Sequence, residues 1–252
     1  MEKKLNTVAN NLSNMETTGF KKQRVNFEDL YYDNLRYPGS QDVAGEFTAT
    51  GIAIGVGTRV TSVQSQFTQG TLTETERPLD IAIFGEGFFQ VLDPFTGDNF
   101  YTRAGNFSIN PDGIIVQGSA HQGRPLVPQI QVPTDVVAIQ IDQSGTVWYK
   151  QGEDVPLQQG ERIQLSTFVN PEGLLRMGEN VFQETEASGP PMESFPGENN
   201  AGQIRQKYLE MSNVAPVTEL INMITSQRAY EMNSKSTQTG DQMLQTVISI
   251  KR

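Results

Sequence analysis

Few residues in this chain could carry out chemistry. His121 is the one histidine and there is no cysteine, so neither a zinc site nor a catalytic triad can be completed around it. We expect His121 to be a structural or solvated loop residue. The stretch Gly85-Glu86-Gly87 begins like a dinucleotide-binding loop. Gln90 stands where the third glycine belongs and a strand pattern follows, so no helix N-terminus remains to hold a pyrophosphate.

Two sets of carboxylates are candidates for calcium binding or for hydrolysis. Three aspartates lie in predicted turns that lack the spacing of a calcium loop: Asp93, Asp98 and Asp112. Aspartate in such turns ordinarily accepts backbone hydrogen bonds. The nearest candidates for the paired carboxylates of a hydrolase have the pattern of exposed strand positions: Glu74, Glu76 and Asp80. The sequence therefore predicts no catalytic residue, no metal site and no cofactor, and we do not expect an enzyme.

The composition points to a globular protein. The chain has 252 residues, of which 36% are hydrophobic and 19% charged, which fits one or two domains. A net charge of −10 argues against a nucleic-acid partner, and we expect no small-molecule substrate either. No apolar run reaches the roughly 18 residues of a membrane-spanning helix. Residues 1 to 12 lack the apolar core of a cleaved signal, so we expect any export to leave this start uncleaved.

The elements that must position functional residues begin with a short amphipathic helix. Leu5, Val8, Leu12 and Met15 recur at intervals of three, four and three residues, which predicts a narrow apolar seam on one helix face. Gly19 suits the left-handed backbone that ends many helices. A helix of about 14 residues is marginal in water by itself, so the seam needs a partner. That partner is either the chain's own domain or another helix.

A second and much longer helix is predicted to begin at Pro216, where the missing N–H of proline costs nothing. Two apolar blocks follow at helical spacing: Val217, Leu220, Ile221 and Ile224, and then Met243, Leu244, Val247 and Ile248. A continuous helix to about residue 250 would be roughly 50 Å long. The alternative is a helix hairpin broken near Gly240 in the polar stretch NSKSTQTGDQ.

The middle of the chain alternates between apolar and polar residues with the period of β-strands. GFFQVLD, NFYTRAG, NFSINPDG and IIVQG are separated by turn residues and predict an antiparallel meander, and further strands are predicted at 136–142, 145–150 and 162–169. The preceding stretch contains Gly51, Gly55 and Gly57 and reads as an extended connector. We therefore divide the chain into residues 1–35, the connector 36–58, a β-rich domain 59–206 and a C-terminal helix 207–252.

The motifs near both ends of the chain resemble those of a known protein family. The block NTVANNLSNMETTGFKKQRVNFEDLYY resembles the amino-terminal signature of bacterial flagellar rod and hook proteins. The residues that match this signature are Asn10, Asn11, Leu12, Asn14, Thr18, Gly19, Phe20 and Lys21. Similar blocks follow in the same order at 69–91, 101–116 and 212–244, so the resemblance spans nearly the whole chain. Within the family, the glycine-rich stretch 36–58 and the block NMITSQRAYEMNSK resemble those of distal-rod members.

The resemblance implies both a fold and a role. The fold would be mainly β with terminal α-helices, an antiparallel β domain being inserted between an N-terminal helix and a long C-terminal helix. In the assembly the terminal helices of many copies would pack as an inner coiled-coil layer. The role would be that of a structural subunit of the distal rod, a self-assembling helical tube in the basal body that transmits motor torque to the hook.

The resemblance also implies partners. These would be further copies of the chain, the proximal rod proteins, the hook protein, the surrounding ring proteins and the flagellar export apparatus, a type III secretion system.

Family members carry more helical turns before the ANNLSN block than the eight residues MEKKLNTV present here, so we expect a shortened chain or a reduced inner layer. The alternative function is a soluble β-rich binding module for cell-wall polysaccharide, which would need a groove with exposed aromatic side chains. A wall-cutting hydrolase would need two well-placed carboxylates.

Overall fold

The computed structural model describes residues 1–39, 41, 47, 50–119, 123–133, 136–152 and 156–250. The chain divides into two compact units. The terminal unit comprises Met1–Ala9, Gln23–Ser65 and Asn222–Arg252, and the core unit comprises Asn10–Lys22 and Gln66–Ile221. His121 lies outside the described residues. The division predicted from sequence, with boundaries after residues 35, 58 and 206, stays a prediction.

Two α-helices are present in the described ranges, α1 at Glu2–Ser13 and α2 at Pro216–Ile250. The continuous α2 confirms the long C-terminal helix, and the hairpin broken near Gly240 is wrong. Two threonine hydroxyls in the polar part of α2 donate to the carbonyl four residues earlier, Thr237 to Asn233 at 3.0 Å and Thr239 to Lys235 at 2.9 Å. These bonds satisfy the hydroxyls within the helix, so the polar stretch does not have to break it.

The strands of the terminal unit form a long antiparallel ribbon. β1 (Gln23–Asp29) pairs with β4 (Thr58–Ser65), and β2 (Tyr32–Arg36) pairs with β3 (Ile52–Gly55). Backbone bonds at 2.8 and 3.2 Å between the two pairs continue the ribbon. Part of the stretch that we expected to be an extended connector is therefore a paired strand, β3.

The core unit contains the remaining strands. They are β5 Leu72–Glu74, β6 Ile81–Phe84, β7 Phe88–Leu92, β8 Asn99–Thr102, β9 Phe107–Ile109, β10 Ile115–Gln117, β11 Arg124–Pro125, β12 Val136–Ile141, β13 Thr146–Gln151, β14 Gln158–Arg162, β15 Leu165–Thr167, β16 Leu175–Gly178, β17 Val181–Gln183, β18 Met192–Ser194, β19 Gln203–Gln206 and β20 Tyr208–Glu210. A short 3₁₀ helix lies at Pro171–Gly173. The largest sheet has the order β16-β17-β8-β7-β15-β18, and smaller sheets have the orders β11-β10-β9, β12-β13-β14, β19-β6 and β20-β5.

The expected single meander is wrong, although its strands are present. β7 pairs with β8 in the six-stranded sheet, whereas β9 pairs with β10 in a different sheet. The chain changes sheets at Arg103–Gly105. A Cβ atom at Gly105 would lie 1.5 Å from the carbonyl oxygen of Ile81, so glycine alone permits this close passage of two backbones. Alternating apolar residues predict strands, but they do not say which strands pair.

Two apolar clusters form the core of the β-rich unit. The larger cluster includes Ile81, Phe89, Phe107, Ile163 and Leu165, all fully buried. The second is aromatic and comprises Phe88, Tyr101, Phe168, Leu174 and Phe182, with Phe67 packed against it. Together with the antiparallel pairing of the strands named above, this core confirms a mainly β fold with terminal helices.

The carboxylates considered as candidate sites have different surroundings in the structure. Asp93 accepts a hydrogen bond from Thr96 Oγ1 at 2.9 Å within its turn, as ordinary turn chemistry requires. Glu74 and Glu76 are exposed as expected. The prediction for Asp80 is wrong, because it is only 2% exposed where its backbone bridges to Asn106. Within the part of the chain that the structure describes, no helix is long and apolar enough to cross a membrane.

Candidate assembly site

The segment after α1 turns sharply at Gly19. Asn14 Nδ2 donates to the carbonyl oxygen of Asn10 at 2.9 Å and thereby caps the end of the helix. Gly19 has a φ of +70°, and a Cβ atom there would lie 2.6 Å from Ala104 N. Its own N–H donates to the Glu210 carbonyl oxygen at 2.8 Å. Both the backbone conformation and the close contact therefore require glycine.

Lys21 is fully buried and forms an ion pair. Its Nζ lies 2.5 Å from Glu210 Oε1 and donates to the Thr68 carbonyl oxygen at 2.9 Å. Gly70 N–H donates to the same carboxylate oxygen at 2.9 Å, and Arg103 Nη1 lies 3.4 Å from Glu210 Oε2. Glu210 is therefore shared by two cations. Burial lowers the pKa of Lys21 below its ordinary value, while the Glu210 charge opposes this shift and the Arg103 charge adds to it.

A second ion pair joins the motif to the first turn of α2. Lys22 Nζ lies 2.7 Å from Glu219 Oε1, and Asn11 Nδ2 donates to Glu219 Oε2 at 3.2 Å. The Asn213 side chain accepts from Lys22 N at 2.7 Å and donates to the Gln66 carbonyl oxygen at 2.8 Å. The carboxylate of Glu219 also faces the positive end of the helix. These contacts fix where α2 begins relative to residues 10–22.

Phe20 and Thr18 complete this arrangement, which we call the motif anchor: residues 10–22 with Arg103, Glu210, Asn213 and Glu219. Phe20 is buried, and Arg176 Cζ lies 5.2 Å from the centre of its ring. Asn180 Nδ2 donates to the Thr18 carbonyl oxygen at 3.0 Å. Burial lowers the pKa of Arg176 to about 10. All eight family-motif residues thus lie on or next to one set of contacts within the core unit.

The apolar helix residues have different surroundings. On α1, Val8 is buried, and Leu5 and Leu12 are partly exposed. Met15, which we expected to continue the seam, lies in the turn after the helix ends at Ser13 and is also partly exposed. At the start of α2 the usual pattern is inverted, because Glu219 is 1% exposed while four apolar neighbours face solvent. We call those four the base face: Val217 at 70% exposure, Leu220 at 47%, Ile221 at 59% and Ile224 at 51%.

The second apolar block of α2 is the tip face, and it is equally uncovered. Its members are Met243, Leu244, Val247 and Ile248, which are between 62% and 68% exposed. At 3.6 residues per turn the centres of the base face and the tip face are rotated by about 160° about the helix axis. A straight helix cannot present both blocks to a single straight partner.

The connector glycines differ in their geometry. Gly57 has a φ of +137°, which side chains rarely adopt. A Cβ atom at Gly51 would lie 2.5 Å from the Arg36 carbonyl oxygen, and one at Gly55 would lie 3.2 Å from the Tyr32 ring. Glycine is therefore required at positions 57 and 51 and is less strictly required at 55.

The sequence reasoning missed the partners in the motif anchor. Glu210, Arg103 and Asn213 are distant from residues 10–22 in the chain and form no local motif with them. Groups of three or more metal-binding side chains are absent from the residues that the structure describes.

Three family descriptions match this chain. The description "Flagella basal body rod protein" covers residues 2–21, "Flagellar hook protein FlgE/F/G D1 domain" covers 82–149, and "Flagellar basal body rod FlgEFG protein C-terminal" covers 205–250. The first of these spans α1 and the family motif, and the last spans α2. The matched segments therefore include both halves of the candidate assembly site.

Curated relatives extend the similarity over almost the full length. The chain is 44% identical over 246 residues to the flagellar basal-body rod protein FlgG of Caulobacter vibrioides, covering 97% of this chain and 92% of that protein. It is 43% identical over 242 residues to FlgG of Buchnera aphidicola subsp. Schizaphis graminum, covering 96% and 91%. The chain belongs to the FlgG family of flagellar basal-body rod proteins.

Membership of this family settles the class of function. FlgG of Borreliella burgdorferi is a third relative, 40% identical over 251 residues, covering 98% of this chain and 93% of that protein. The chain is a structural subunit of the distal rod in the flagellar basal body, and it is not an enzyme. A module for binding cell-wall polysaccharide has no support from these relatives.

Proposed function

We propose that the chain builds the rod by associating with further copies of itself through the apolar faces of its terminal helices. The single observation that carries this proposal is the inverted pattern at the start of α2, where Glu219 is buried and the base face is exposed. A helix in a globular protein ordinarily buries its apolar face and exposes its charges. Here the motif anchor holds the charged side, so the apolar side is available to another copy.

The energy available from such contacts is large when repeated. Complete burial of an isoleucine or leucine side chain contributes about 1.5–3 kcal/mol. Roughly half of the surface of each base-face residue is exposed to solvent in the single chain and can still be buried by a neighbouring copy. One contact of this size is weak, because association also costs translational and rotational freedom. The same contact repeated on every copy of a helical assembly makes a stable tube. The predicted seam of Leu5, Val8 and Leu12 on α1, continued by Met15 after the helix, would join it, and the tip face would supply a second contact.

The finer parts of the role follow from the same proposal. The terminal helices of neighbouring copies pack as a coiled-coil inner layer, and the β-rich domain 59–206 forms the outside of a tube that transmits torque to the hook. Gly51, Gly55 and Gly57 let the ribbon that contains β3 lie between neighbouring copies. Proximal rod proteins, hook protein and ring proteins adjoin the tube, and the chain reaches it through the flagellar export apparatus without cleavage.

The test is a double substitution in the base face, Ile221→Asp with Ile224→Asp. Each change replaces an apolar contact with a carboxylate that loses its water when a neighbouring copy covers it, a penalty of several kcal/mol beyond the lost apolar burial. Purified chain is concentrated, and assembly is followed by sedimentation and negative-stain images. We expect the unmodified chain to form rods and the double variant to remain soluble. The folded core unit should melt at an unchanged temperature, because both positions are exposed in the single chain.

The matched control is Thr218→Asp with Asn233→Asp. These two positions are exposed and polar, lie on the same helix and add the same charge, and at 100° per residue both are roughly 110° or more from the centre of the base face. We expect this control to assemble like the unmodified chain. Rods of normal length from the base-face variant, or equal loss of assembly in the control, would show that the base face does not carry the contact.

A further inference from the structure

The β7–β8 hairpin of the core unit carries two uncommon features at its opposite ends. At one end the turn Asp93–Asp98 presents Phe95 at 82% exposure. At the other end, an open cavity of about 210 Å³ is lined by residues around the start of β7 and the end of β8. β7 has five residues, so the two features lie about 17 Å apart along the strand.

The turn holds Phe95 on a rigid support. Asp93 N donates to the Asp98 carbonyl oxygen at 2.9 Å, and Gly97 N donates to the Asp93 carbonyl oxygen at 2.9 Å. Thr96 Oγ1 donates to Asp93 Oδ2 at 2.9 Å, and Gly97 has a φ of +75°. A ring on a preorganised turn costs little further ordering when it is buried by a partner. Asp98 places a negative charge beside it, whereas the Asp93 carboxylate is paired with Arg124 at 4.0 Å.

The cavity has the properties of a site for an aromatic ring. Three of its residues are the rings Phe67, Phe88 and Phe168, and the centre of the Phe88 ring lies 5.3 Å from Phe67 and 5.8 Å from Phe168 in edge-to-face geometry. Apolar cavities of about 150 Å³ bind benzene, so a space of about 210 Å³ admits a phenyl group. Edge-to-face packing is also the arrangement that an incoming ring prefers.

A buried arginine gives one side of the cavity a positive charge. Arg103 is 4% exposed and lines the cavity, with its Cζ 5.2 Å from the centre of the Phe88 ring. Its Nη1 donates to the Gly85 carbonyl oxygen at 2.9 Å, but its Nε has no hydrogen-bond partner among the residues that the structure describes. Lys21, Arg103 and Glu210 together carry one excess positive charge, which the nearby Glu86 carboxylate balances. Glu86 on the rim is the one lining residue with a negative charge.

We propose that Phe95 of one copy inserts into this cavity of a second copy, with the exposed Asp98 of its turn directed toward the Arg103 side. The proposal rests on the assembly function above and adds a contact between β domains. Because the ring and the cavity lie at opposite ends of one hairpin, the contact is head to tail. A head-to-tail contact between different surfaces extends from copy to copy, and it builds an open helix unless the rotation between copies closes a ring.

Cross-linking tests the contact directly, because the chain contains no cysteine. One batch of full-length chain carries Pro94→Cys beside Phe95, and another carries Val169→Cys on the cavity rim, where Val169 is 78% exposed. After assembly and treatment with a short bis-maleimide, the mixture should give cross-linked dimers and each batch by itself should give none. A chain with both cysteines should give a ladder of oligomers. Val137→Cys, 66% exposed on β12, replaces Val169→Cys as the control and should not cross-link to Pro94→Cys.

Substitutions give a second measurement. Phe95→Ala should raise the critical concentration for assembly at least tenfold, which corresponds to about 1.4 kcal/mol, whereas Val137→Ala should leave it unchanged. Glu86→Gln should lower it, because the rim carboxylate repels Asp98 of the incoming turn. Assemblies that contain no Pro94–Val169 cross-link and are insensitive to Phe95→Ala would overturn this contact and leave the helix proposal standing. Failure of the unmodified chain to assemble at all would overturn both.

Discussion

The buried ion pair of Lys21 and Glu210 makes an asymmetric prediction about stability. Both side chains have no exposed surface, and Glu210 also faces Arg103, which is 4% exposed. Lys21→Met removes one cation and leaves Glu210 paired with Arg103 and with Gly70 N–H. Glu210→Gln leaves two buried cations without a carboxylate. We therefore expect the second change to be the more harmful.

The magnitudes follow from the burial. Removing one partner of a buried pair costs about 3–5 kcal/mol when the other is left uncompensated, and Glu210→Gln meets that condition. Lys21→Met should cost about 2 kcal/mol, because a neutral pair remains and methionine keeps most of the packed volume. For a domain of about 150 residues these values correspond to losses of roughly 6–20 °C and 4–8 °C in Tm.

The assay is urea unfolding followed by the fluorescence of Trp148, the single tryptophan, which lies on β13 of the core unit. Glu179→Gln is the matched control, because Glu179 pairs with Arg124 but is 76% exposed, and it should cost less than about 1 kcal/mol. If Lys21→Met proved as costly as Glu210→Gln, the idea that Arg103 shares the Glu210 charge would be wrong.

Two further predictions rest on single residues of the core unit. Gly19→Ala should destabilise the core unit by about 2–4 kcal/mol in the same urea assay, because it combines a positive φ with a Cβ placed 2.6 Å from Ala104 N. Gly97→Ala has a similar φ but open space around the new Cβ, so it should cost only about 1 kcal/mol. Equal costs for the two changes would exclude the close contact as the cause. Burial, followed by the charges of Glu184 and Glu193, raises the pKa of Tyr101 above its ordinary value of 10. The unfolded chain therefore releases that proton first, and the Tyr101 contribution to stability should fall as pH rises above 10. The difference in unfolding free energy between the unmodified chain and Tyr101→Phe should shrink from pH 8 to 11, and a difference independent of pH would contradict this cause.

The helices were predictable because their signals are local. Pro216 and the apolar residues that follow it specify the start of α2 and its outward face, and no distant residue is needed to read them. The motif anchor was not predictable in this way. Lys21 and Glu210 are separated by 189 positions, and nothing near either residue marks it as half of a buried pair. The lysine of a basic cluster ordinarily lies in solvent, so its local pattern pointed away from burial.

The errors in the β-rich part have the same origin. The alternation around β7 to β10 specifies four strands, but the close passage of Gly105 past Ile81 sends the last two into another sheet. Asp80 also looked exposed because it follows a run of polar residues, whereas its backbone is a pairing partner of Asn106 and receives a bond from Lys207 N at 2.7 Å. Contacts between distant segments decide both cases.

The two faces of α2 bear on how copies of the chain associate. A closed dimer needs one self-complementary patch, and a single exposed stripe on α2 would suit it. The base face and the tip face instead lie on nearly opposite sides of the helix, with centres about 38 Å apart along its axis. Because one straight partner helix cannot cover both, the contacts that we propose through these faces need at least two neighbours for each copy. That requirement favours an open, extending assembly over a closed pair, and it is the geometry that a rod subunit needs.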